Sequence, residues 1–417
     1  PTSTPEPPPT PLPPGLLPPL ATPTALTAAP QAAWPFGPHR EGTSLPIPPN
    51  LVSVALLGAE GQSQWRTDSI MLVMLNPDTQ RVGIISLPRD SWVTIPGYGH
   101  NRINTVDYLG ESTRYPGGGP ALLKRTLWEN FGLPMHYYAR VHFGGFIQII
   151  DTLGGVDVTV DCEIADIFPH PTKPGQLVHM DLYPGVNHLD GTMALLYSRS
   201  RLSTSDFDRA RRQQSVMKGL YQQARRTDTI SRIPQLYQDL RETVQTDLSL
   251  TDIVALARHG LAVEPENVDA IVINHKLMRD WITPQSAMVL LPNEQLLQQT
   301  LTDFFNRLNL PPARSLAEAA QVVIENQTNY PNWAEVASSR VAWAGGSVNA
   351  VESKPTPGSK TQIIAYISGK SDTLTALAEA FGLDTASIVA GDPNGSERTH
   401  GEDIRIILGY DFQVCRR

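Results

Sequence analysis

Six basic residues stand close together between positions 199 and 218, in a chain whose formal net charge is −8. Only Asp206 and Asp208 oppose them, so this stretch carries a net charge of +4. On the predicted helix that follows, Arg209, Arg212 and Gln213 share one face because they are three and four residues apart. Guanidinium groups match phosphate oxygens bidentately, and a helix N-terminus favours anions. The stretch therefore predicts a phosphate site, although a solvated charged helix face explains it equally well.

Carboxylates and arginines also gather at the ends of three predicted strands and in the loop beyond them. These residues are Glu60, Asp68, Arg89, Asp90 and Arg102. In open α/β sheets, ligand-binding residues lie at strand ends. Carboxylates beside arginines suggest that Mg²⁺ shares a phosphate with the arginines, because Mg²⁺ prefers hard oxygen ligands. The alternative is a set of ion pairs that cap turns.

The elements that must position these residues are mixed. Short apolar runs bounded by turn residues predict strands at 51–58, 69–77, 81–87 and 156–160, and the second and third should pair as a hairpin. Helical spacing predicts helices at 118–132, with Gly132 as the C-cap, and at 141–155, 190–201 and about 205–226. The fold class is therefore α/β, with a central mixed β-sheet flanked by helices.

Composition divides the chain into three parts. Residues 1–50 hold 17 of the 37 prolines and predict an extended linker, which either tethers a domain to a membrane anchor or is a tail without a role. Because residue 1 is proline, we expect that anchor upstream. Residues 51–312 form the larger predicted domain. Residues 318–413 repeat the order strand, helix, strand and predict a small C-terminal α/β domain.

The order of the motifs resembles the LytR-CpsA-Psr family over about residues 51–310. The motifs are WRTDSIMLVMLNPDTQRVGIISLPRDSW, NRINTVDY, YYARVHFGGFIQIIDTLGGVDVTV, GVNHLDGTMALLYSRSR and DFDRARRQQ. The C-terminal unit resembles the small LytR-type domain of many members. The family pattern has aspartate where Glu60 stands and lysine where Arg102 stands. The resemblance implies a membrane-anchored, extracytoplasmic bacterial phosphotransferase. Such an enzyme moves a cell-wall glycopolymer from a polyprenyl pyrophosphate carrier to peptidoglycan.

Residue types and resemblance together assign roles. We expect Glu60 and Asp68 to hold Mg²⁺. The expected pyrophosphate-binding residues are Arg89, Arg102, Arg199, Arg201, Arg209 and Gln213. The expected catalytic residues are Arg89, Asp90, Arg199 and Arg201, with Asp90 orienting the arginines or a metal-bound water. Apolar faces of the helices at 118–131 and 141–153 predict a pocket for the lipid, although such spacing is also typical of plain core. These pocket residues are Leu122, Leu127, Phe131, Phe143, Phe146 and Ile150.

Two other functions stay open at this stage. One is an extracellular polyprenyl-pyrophosphate pyrophosphatase, which would release free phosphorylated glycan. The other is a non-enzymatic regulator that binds an anion or nucleic acid. The acidic net charge and the absence of a recognisable nucleic-acid-binding module argue against nucleic acid. We therefore expect a lipid-linked glycan donor, a peptidoglycan acceptor, and a location at the outer face of a bacterial membrane.

Overall fold

A computed structural model describes residues 45–59, 67–161, 163–200, 206–226, 229–264, 267–311, 320–344, 346–367 and 370–412. Most of the predicted linker, up to residue 44, lies outside these ranges, as do two predicted site residues, Glu60 and Arg201. Within the described ranges, no helix combines the length and the apolar character that a membrane crossing requires.

Strands and helices alternate along the larger unit. Its strands are β1 (Val52–Ala59), β2 (Thr67–Asn76), β3 (Arg81–Leu87), β4 (Trp92–Ile95), β5 (Gly99–Arg102), β6 (Tyr137–His142), β7 (Val156–Val160), β8 (Ile164–Pro169), β9 (Leu177–Leu182), β10 (Gly185–Leu189), β11 (Val244–Thr246), β12 (Val268–Val272), β13 (Met278–Ile282) and β14 (Met288–Pro292). Its helices are α1 (Val106–Ser112), α2 (Gly118–Phe131), α3 (Phe143–Thr152), α4 (Gly191–Arg199), α5 (Asp206–Arg226), α6 (Thr229–Asp239), α7 (Leu250–Leu261) and α8 (Glu294–Leu308). A short 3-10 helix, Ile103–Thr105, precedes α1.

A six-stranded mixed sheet lies at the centre of this unit, in the order β11-β6-β1-β2-β3-β12. Strand β2 runs antiparallel to both β1 and β3, which confirms the predicted hairpin. Strand β6 is parallel to β1, and β12 is parallel to β3. The carboxyl ends of β1, β3, β6 and β12 therefore meet the start of β2 at one edge, which is the edge where α/β sheets bind ligands.

Local sequence explains how α2 and α3 are bounded. Helix α2 ends at Gly132, whose φ of 66° is left-handed, a conformation that glycine adopts without steric cost. The predicted helix 141–155 is wrong at its start, because Val141 and His142 belong to β6 and the helix begins at Phe143. Apolar residues stand on both sides of that boundary, so periodicity alone does not separate the strand from the helix.

Two buried clusters stabilise the larger unit. In the first, the sheet residues Leu57, Leu72 and Ile85 pack with Leu122 of α2 and Phe304 of α8. The second joins α3, α4 and α5 to the small sheets formed by β7 with β10 and β8 with β9. The sheet that positions the arginines therefore stands on a large apolar core, and this arrangement confirms the predicted α/β class.

The C-terminal unit is a separate five-stranded sheet with helices. Its elements are β15 (Ala320–Asn326), α9 (Trp333–Trp343), β16 (Gly346–Ser353), β17 (Gln362–Ala365), α10 (Ser371–Phe381), β18 (Ile388–Ala390) and β19 (Ile404–Leu408). The strand order is β16-β15-β19-β17-β18. This unit contacts the larger one through α9, where Glu335 accepts a hydrogen bond from the Val186 amide at 2.9 Å and Arg340 pairs with Asp161 at 3.2 Å.

Candidate phosphate-binding site

An ion pair between Asp68 and Arg89 marks the centre of the candidate site. Asp68 stands at the start of β2, and Arg89 comes two residues after the end of β3. Because these strands are antiparallel neighbours, the two side chains meet, and Arg89 Nη1 donates to Asp68 Oδ1 at 2.6 Å. The side chains remain 24% exposed for Arg89 and 41% exposed for Asp68, so both are accessible to a ligand.

Asp90 joins a second arginine to the first. Its Oδ2 lies 3.5 Å from Arg89 Nε, and its Oδ1 lies 3.2 Å from Arg102 Nε. Arg102 is the last residue of β5 and also donates from Nη2 to the Met288 carbonyl at 2.9 Å. Asp90 thus lies between two guanidinium groups, and its catalytic role stays a prediction.

Helix α5 brings a third arginine to the same edge. Arg209 Nη2 lies 3.4 Å from the Asp68 carbonyl, and Gln213 Oε1 accepts a hydrogen bond from Ser69 Oγ at 2.9 Å. The next residue, Gln214, fixes the helix against the sheet by donating to Ser86 Oγ and to the Ile271 carbonyl, both at 3.0 Å. Arg209 and Gln213, two of the three residues predicted to share a face of α5, therefore lie beside the start of β2.

Two further arginines of the basic stretch have other contacts. Arg212, on the same helix, donates to the Ser200 carbonyl and so helps to hold the chain just after α4. Arg199 ends α4, and its guanidinium carbon lies 4.3 Å from the centroid of the Phe143 ring. Gln213 Nε2 lies 3.4 Å from the carbonyl of Ser198, which places the end of α4 beside the site.

Asp68, Arg89, Arg209 and Gln213 line a small cleft at the sheet edge. Its empty space is about 350 Å³, part of it open to solvent. The lining residues are Asp68, Ser69, Ile70, Ser86, Leu87, Pro88, Arg89, Arg209, Ala210, Gln213 and Ile273. Basic side chains, hydroxyl groups and an amide thus converge on one opening, as an anionic ligand requires.

The donor set of the site suits a hard cation beside the arginines. Asp68 and Asp90 supply carboxylate oxygens, and Mg²⁺ typically binds one or two carboxylates together with substrate phosphates. Across the described ranges, no three His, Cys, Asp or Glu side chains group closely enough to form a metal site from protein ligands alone. A Mg²⁺ ion here would therefore depend on ligands from water and substrate, and the predicted Glu60–Asp68 pair stays a prediction.

The predicted lipid-pocket residues fall into different surroundings. Leu122, Leu127 and Phe131 belong to the core under the central sheet. Ile150 belongs to the second cluster, and Phe146 packs against that cluster. The ring of Phe143 instead contacts the guanidinium group of Arg199. The six residues therefore do not share one cluster, and their lipid-binding role stays a prediction.

Sequence reasoning missed several residues at this edge. Ser69 and Ser86 contact the helix from neighbouring strands, and Ile273 follows the end of β12. His142 ends β6 opposite Ala59 of β1, and burial together with the charge of Arg140 lowers its pKa. The apolar run 268–272 would have predicted a further strand end, but the sequence does not tell which strand it joins.

Comparison with known proteins shows which family the chain resembles. A sequence model of the LytR_cpsA_psr family matches residues 44–305. The regulatory protein MsrR of Staphylococcus aureus strain COL is 31% identical over 263 residues, which cover 61% of this chain and 74% of MsrR. The polyisoprenyl-teichoic acid–peptidoglycan teichoic acid transferase TagU of Bacillus cereus strain AH820 is 32% identical over 203 residues, which cover 48% of this chain and 61% of TagU.

Solved structures show the same fold. A structure of TagT bound to LIIa-WTA aligns with a TM-score of 0.50 at 25% identity, covering 62% of this chain and 91% of TagT. A structure of TagV from B. subtilis aligns with a TM-score of 0.52 at 24% identity, covering 63% of this chain and 98% of TagV. Both leave more than a third of this chain outside the alignment.

Proposed function

Because the chain belongs to the LytR_cpsA_psr family, we propose that it transfers a cell-wall glycopolymer from a polyprenyl pyrophosphate carrier to peptidoglycan. The name of its relative TagU describes such a transfer for teichoic acid. We place the reaction at the outer face of the bacterial cell membrane, because the donor is a lipid and the acceptor is the cell wall.

The joined arginines at the sheet edge are the single observation that carries this proposal. Arg89 and Arg209 line the cleft with Asp68, and Asp90 connects Arg102 to Arg89. Guanidinium groups that converge on one cleft attract a pyrophosphate and can bind its oxygens bidentately. Preorganised charges of this kind stabilise phosphoryl transfer because negative charge spreads over the phosphate oxygens in the transition state.

The reaction needs little covalent chemistry from the protein. A peptidoglycan hydroxyl oxygen attacks the phosphorus that carries the glycan, and a new phosphorus–oxygen bond forms. The bond from that phosphorus to the bridging oxygen of the pyrophosphate breaks, so polyprenyl phosphate leaves. The hydroxyl proton passes to solvent, directly or through a carboxylate of the site. The arginines hold the phosphates in line for this displacement.

We also propose that Asp68, with Glu60, holds Mg²⁺ beside the arginines. When bound, the ion supplies positive charge next to the phosphate oxygens.

We expect a chelator to abolish transfer and added Mg²⁺ to restore it. Asp68→Asn should weaken Mg²⁺ binding in a direct titration of the protein with the metal, whereas Asp78→Asn, at the exposed turn after β2, should leave it unchanged. Full transfer activity in excess chelator would contradict a role for Mg²⁺ in the reaction.

Product analysis tests the proposed function directly. The wild-type chain is incubated with a lipid-linked glycan donor and peptidoglycan, and the phosphorylated glycan is then assigned to the wall or to solution. Glycan bound to peptidoglycan supports the transferase. Free phosphorylated glycan, with none on peptidoglycan, would make the protein a pyrophosphatase instead.

A further inference from the structure

Beside its turn (residues 283–287), the β13–β14 hairpin presents an exposed apolar pair, the apolar tip, close to the arginines. Ile282 and Met288 are directly opposite each other in this antiparallel pair, and each is 65% exposed. Directly opposed residues point to the same face of a sheet, so the two side chains form one apolar patch. Single exposed apolar residues are common, but a contiguous patch at a functional edge indicates an interaction surface.

A continuous chain of polar contacts connects this tip to the site. The Met288 carbonyl accepts from Arg102, Arg102 pairs with Asp90, Asp90 pairs with Arg89, and Arg89 bonds to Asp68. The Leu290 amide also donates to the Asp90 carbonyl at 3.0 Å. The hairpin is therefore fixed against the residues that face the phosphate.

Basic and aromatic side chains lie behind the apolar tip. Lys276 and Arg279 are exposed, and with Asp280 they give the hairpin region a net charge of +1 in a chain of net charge −8. Arg279 is three residues, about 10 Å, from Ile282 along the strand and lies on the opposite face, whereas Asp280 shares the face of Ile282. Trp281 is half-buried and packs edge-on against Trp92, with the ring centroids 6.1 Å apart.

We propose that this hairpin docks on an anionic lipid bilayer, with Ile282 and Met288 in the apolar boundary of the membrane. Amphipathic segments that lie at a membrane surface insert by about 5–10 Å, and this depth would leave Lys276 and Arg279 among the phosphate head groups. Arg102 and Arg89 then meet the pyrophosphate at the level where a polyprenyl carrier presents it. This docking rests on the proposed function, because only a lipid-borne donor requires the site to approach a bilayer.

Vesicle binding without any donor tests the docking. The wild-type chain is sedimented with vesicles of phosphatidylglycerol and phosphatidylcholine that contain no polyprenyl lipid. We expect the double variant Ile282→Ser with Met288→Ser to bind about 10- to 100-fold more weakly. The matched control is Ile167→Ser with Leu177→Ser, since these residues are 54% and 65% exposed on the β8–β9 hairpin. We expect this control to bind like the wild type.

The charge component has its own variant. Lys276→Gln with Arg279→Gln should weaken binding to the anionic vesicles by about tenfold and leave binding to pure phosphatidylcholine unchanged.

Thermal unfolding of every variant establishes that the fold is retained. Equal binding by the two serine double variants would overturn the docking surface, as would a wild-type dimer that the Ile282–Met288 variant abolishes. Because no donor is present, these outcomes are independent of the product analysis that tests transfer.

Discussion

Two arginine–carboxylate clusters of this chain use the same residue types in opposite ways. At the edge of the central sheet, Arg89, Arg102, Asp68 and Asp90 keep partly exposed side chains, whereas Arg209 is only 6% exposed. In the C-terminal unit, Arg405 of β19 is only 3% exposed, and its guanidinium contacts the glutamates on neighbouring elements. Its Nη1 lies 2.8 Å from Glu325 and 3.0 Å from Glu352, and its Nε lies 3.0 Å from Glu402.

The balance of charge and exposure separates the two clusters. Around Arg405 the protein itself supplies three carboxylates, and Thr399 Oγ1 accepts a further hydrogen bond at 2.7 Å. Such an arginine has its donors occupied by protein oxygens and is shielded from a phosphate. At the sheet edge, the side chains of Arg89 and Arg102 remain accessible to solvent. We infer that the C-terminal cluster stabilises its sheet and that the sheet-edge cluster binds a ligand.

Replacing the buried arginine should give the largest effect on folding. Arg405→Ala leaves Glu325, Glu352 and Glu402 without their shared cation. Breaking a buried ion pair costs about 3–5 kcal/mol, so we expect the free energy of unfolding of the C-terminal unit to fall by about that amount. Denaturant unfolding followed by circular dichroism measures it. A change below about 1 kcal/mol, as for a surface pair, would contradict the structural role of this cluster.

Replacing the exposed arginine should act on catalysis instead. We expect Arg89→Ala to lower kcat about 10²- to 10³-fold, as loss of one group that stabilises transition-state charge typically does. Its free energy of unfolding should change by no more than about 1 kcal/mol, because the Arg89–Asp68 pair is partly solvated. The control is Arg125→Ala, which removes an exposed arginine paired with Glu129 at 2.7 Å and should keep the wild-type kcat. Unfolding of the Arg89 variant at ordinary temperature would make Arg89 a structural residue.

A smaller effect on transfer should follow from losing the helix contact at the cleft. Gln213→Ala removes the hydrogen bond with Ser69. One hydrogen bond contributes about 0.5–1.5 kcal/mol, so we expect a loss of about tenfold or less in kcat/KM. Ser215→Ala on the same helix is the control, because its hydroxyl bonds only within α5, to the Arg211 carbonyl at 3.1 Å. Equal rates for the two variants would show that Gln213 does not act in the site.

The smallest effect concerns acid stability of the C-terminal cluster. A hydrogen bond from Lys354, with further help from Thr399 and Arg405, lowers the pKa of Glu352 from 4.5 to about 2. A lowered folded-state pKa adds stability above the unfolded value, and this stability is lost as the pH falls from 4.5 towards 2. We expect Glu352→Gln to reduce the pH dependence of the free energy of unfolding in that window. An unchanged slope would contradict the assignment.

The sequence predicted the parts of the site that depend on neighbouring strands. A short turn joins β2 to β3, so pairing follows from the hairpin, and Asp68 and Arg89 must then meet. Arg102 with Met288 is different, because these residues are 186 positions apart and no local pattern links them. The residues that Arg212 contacts also depend on how α5 is rotated about its axis, and helical spacing does not determine that rotation. Local sequence patterns therefore predict contacts between adjacent elements. Contacts between distant segments depend on how the whole fold packs.

Binding of a short-chain prenyl pyrophosphate tests the central claim most directly. The wild-type chain, Arg89→Ala and Arg125→Ala are each titrated with geranyl pyrophosphate in the presence of Mg²⁺ by calorimetry. We predict that Arg89→Ala raises the Kd at least about tenfold, because a charge-assisted bidentate contact contributes about 1.5–3 kcal/mol. We predict that Arg125→Ala leaves the Kd unchanged. Equal affinity of all three proteins for geranyl pyrophosphate would contradict the claim that the sheet-edge arginines bind the pyrophosphate.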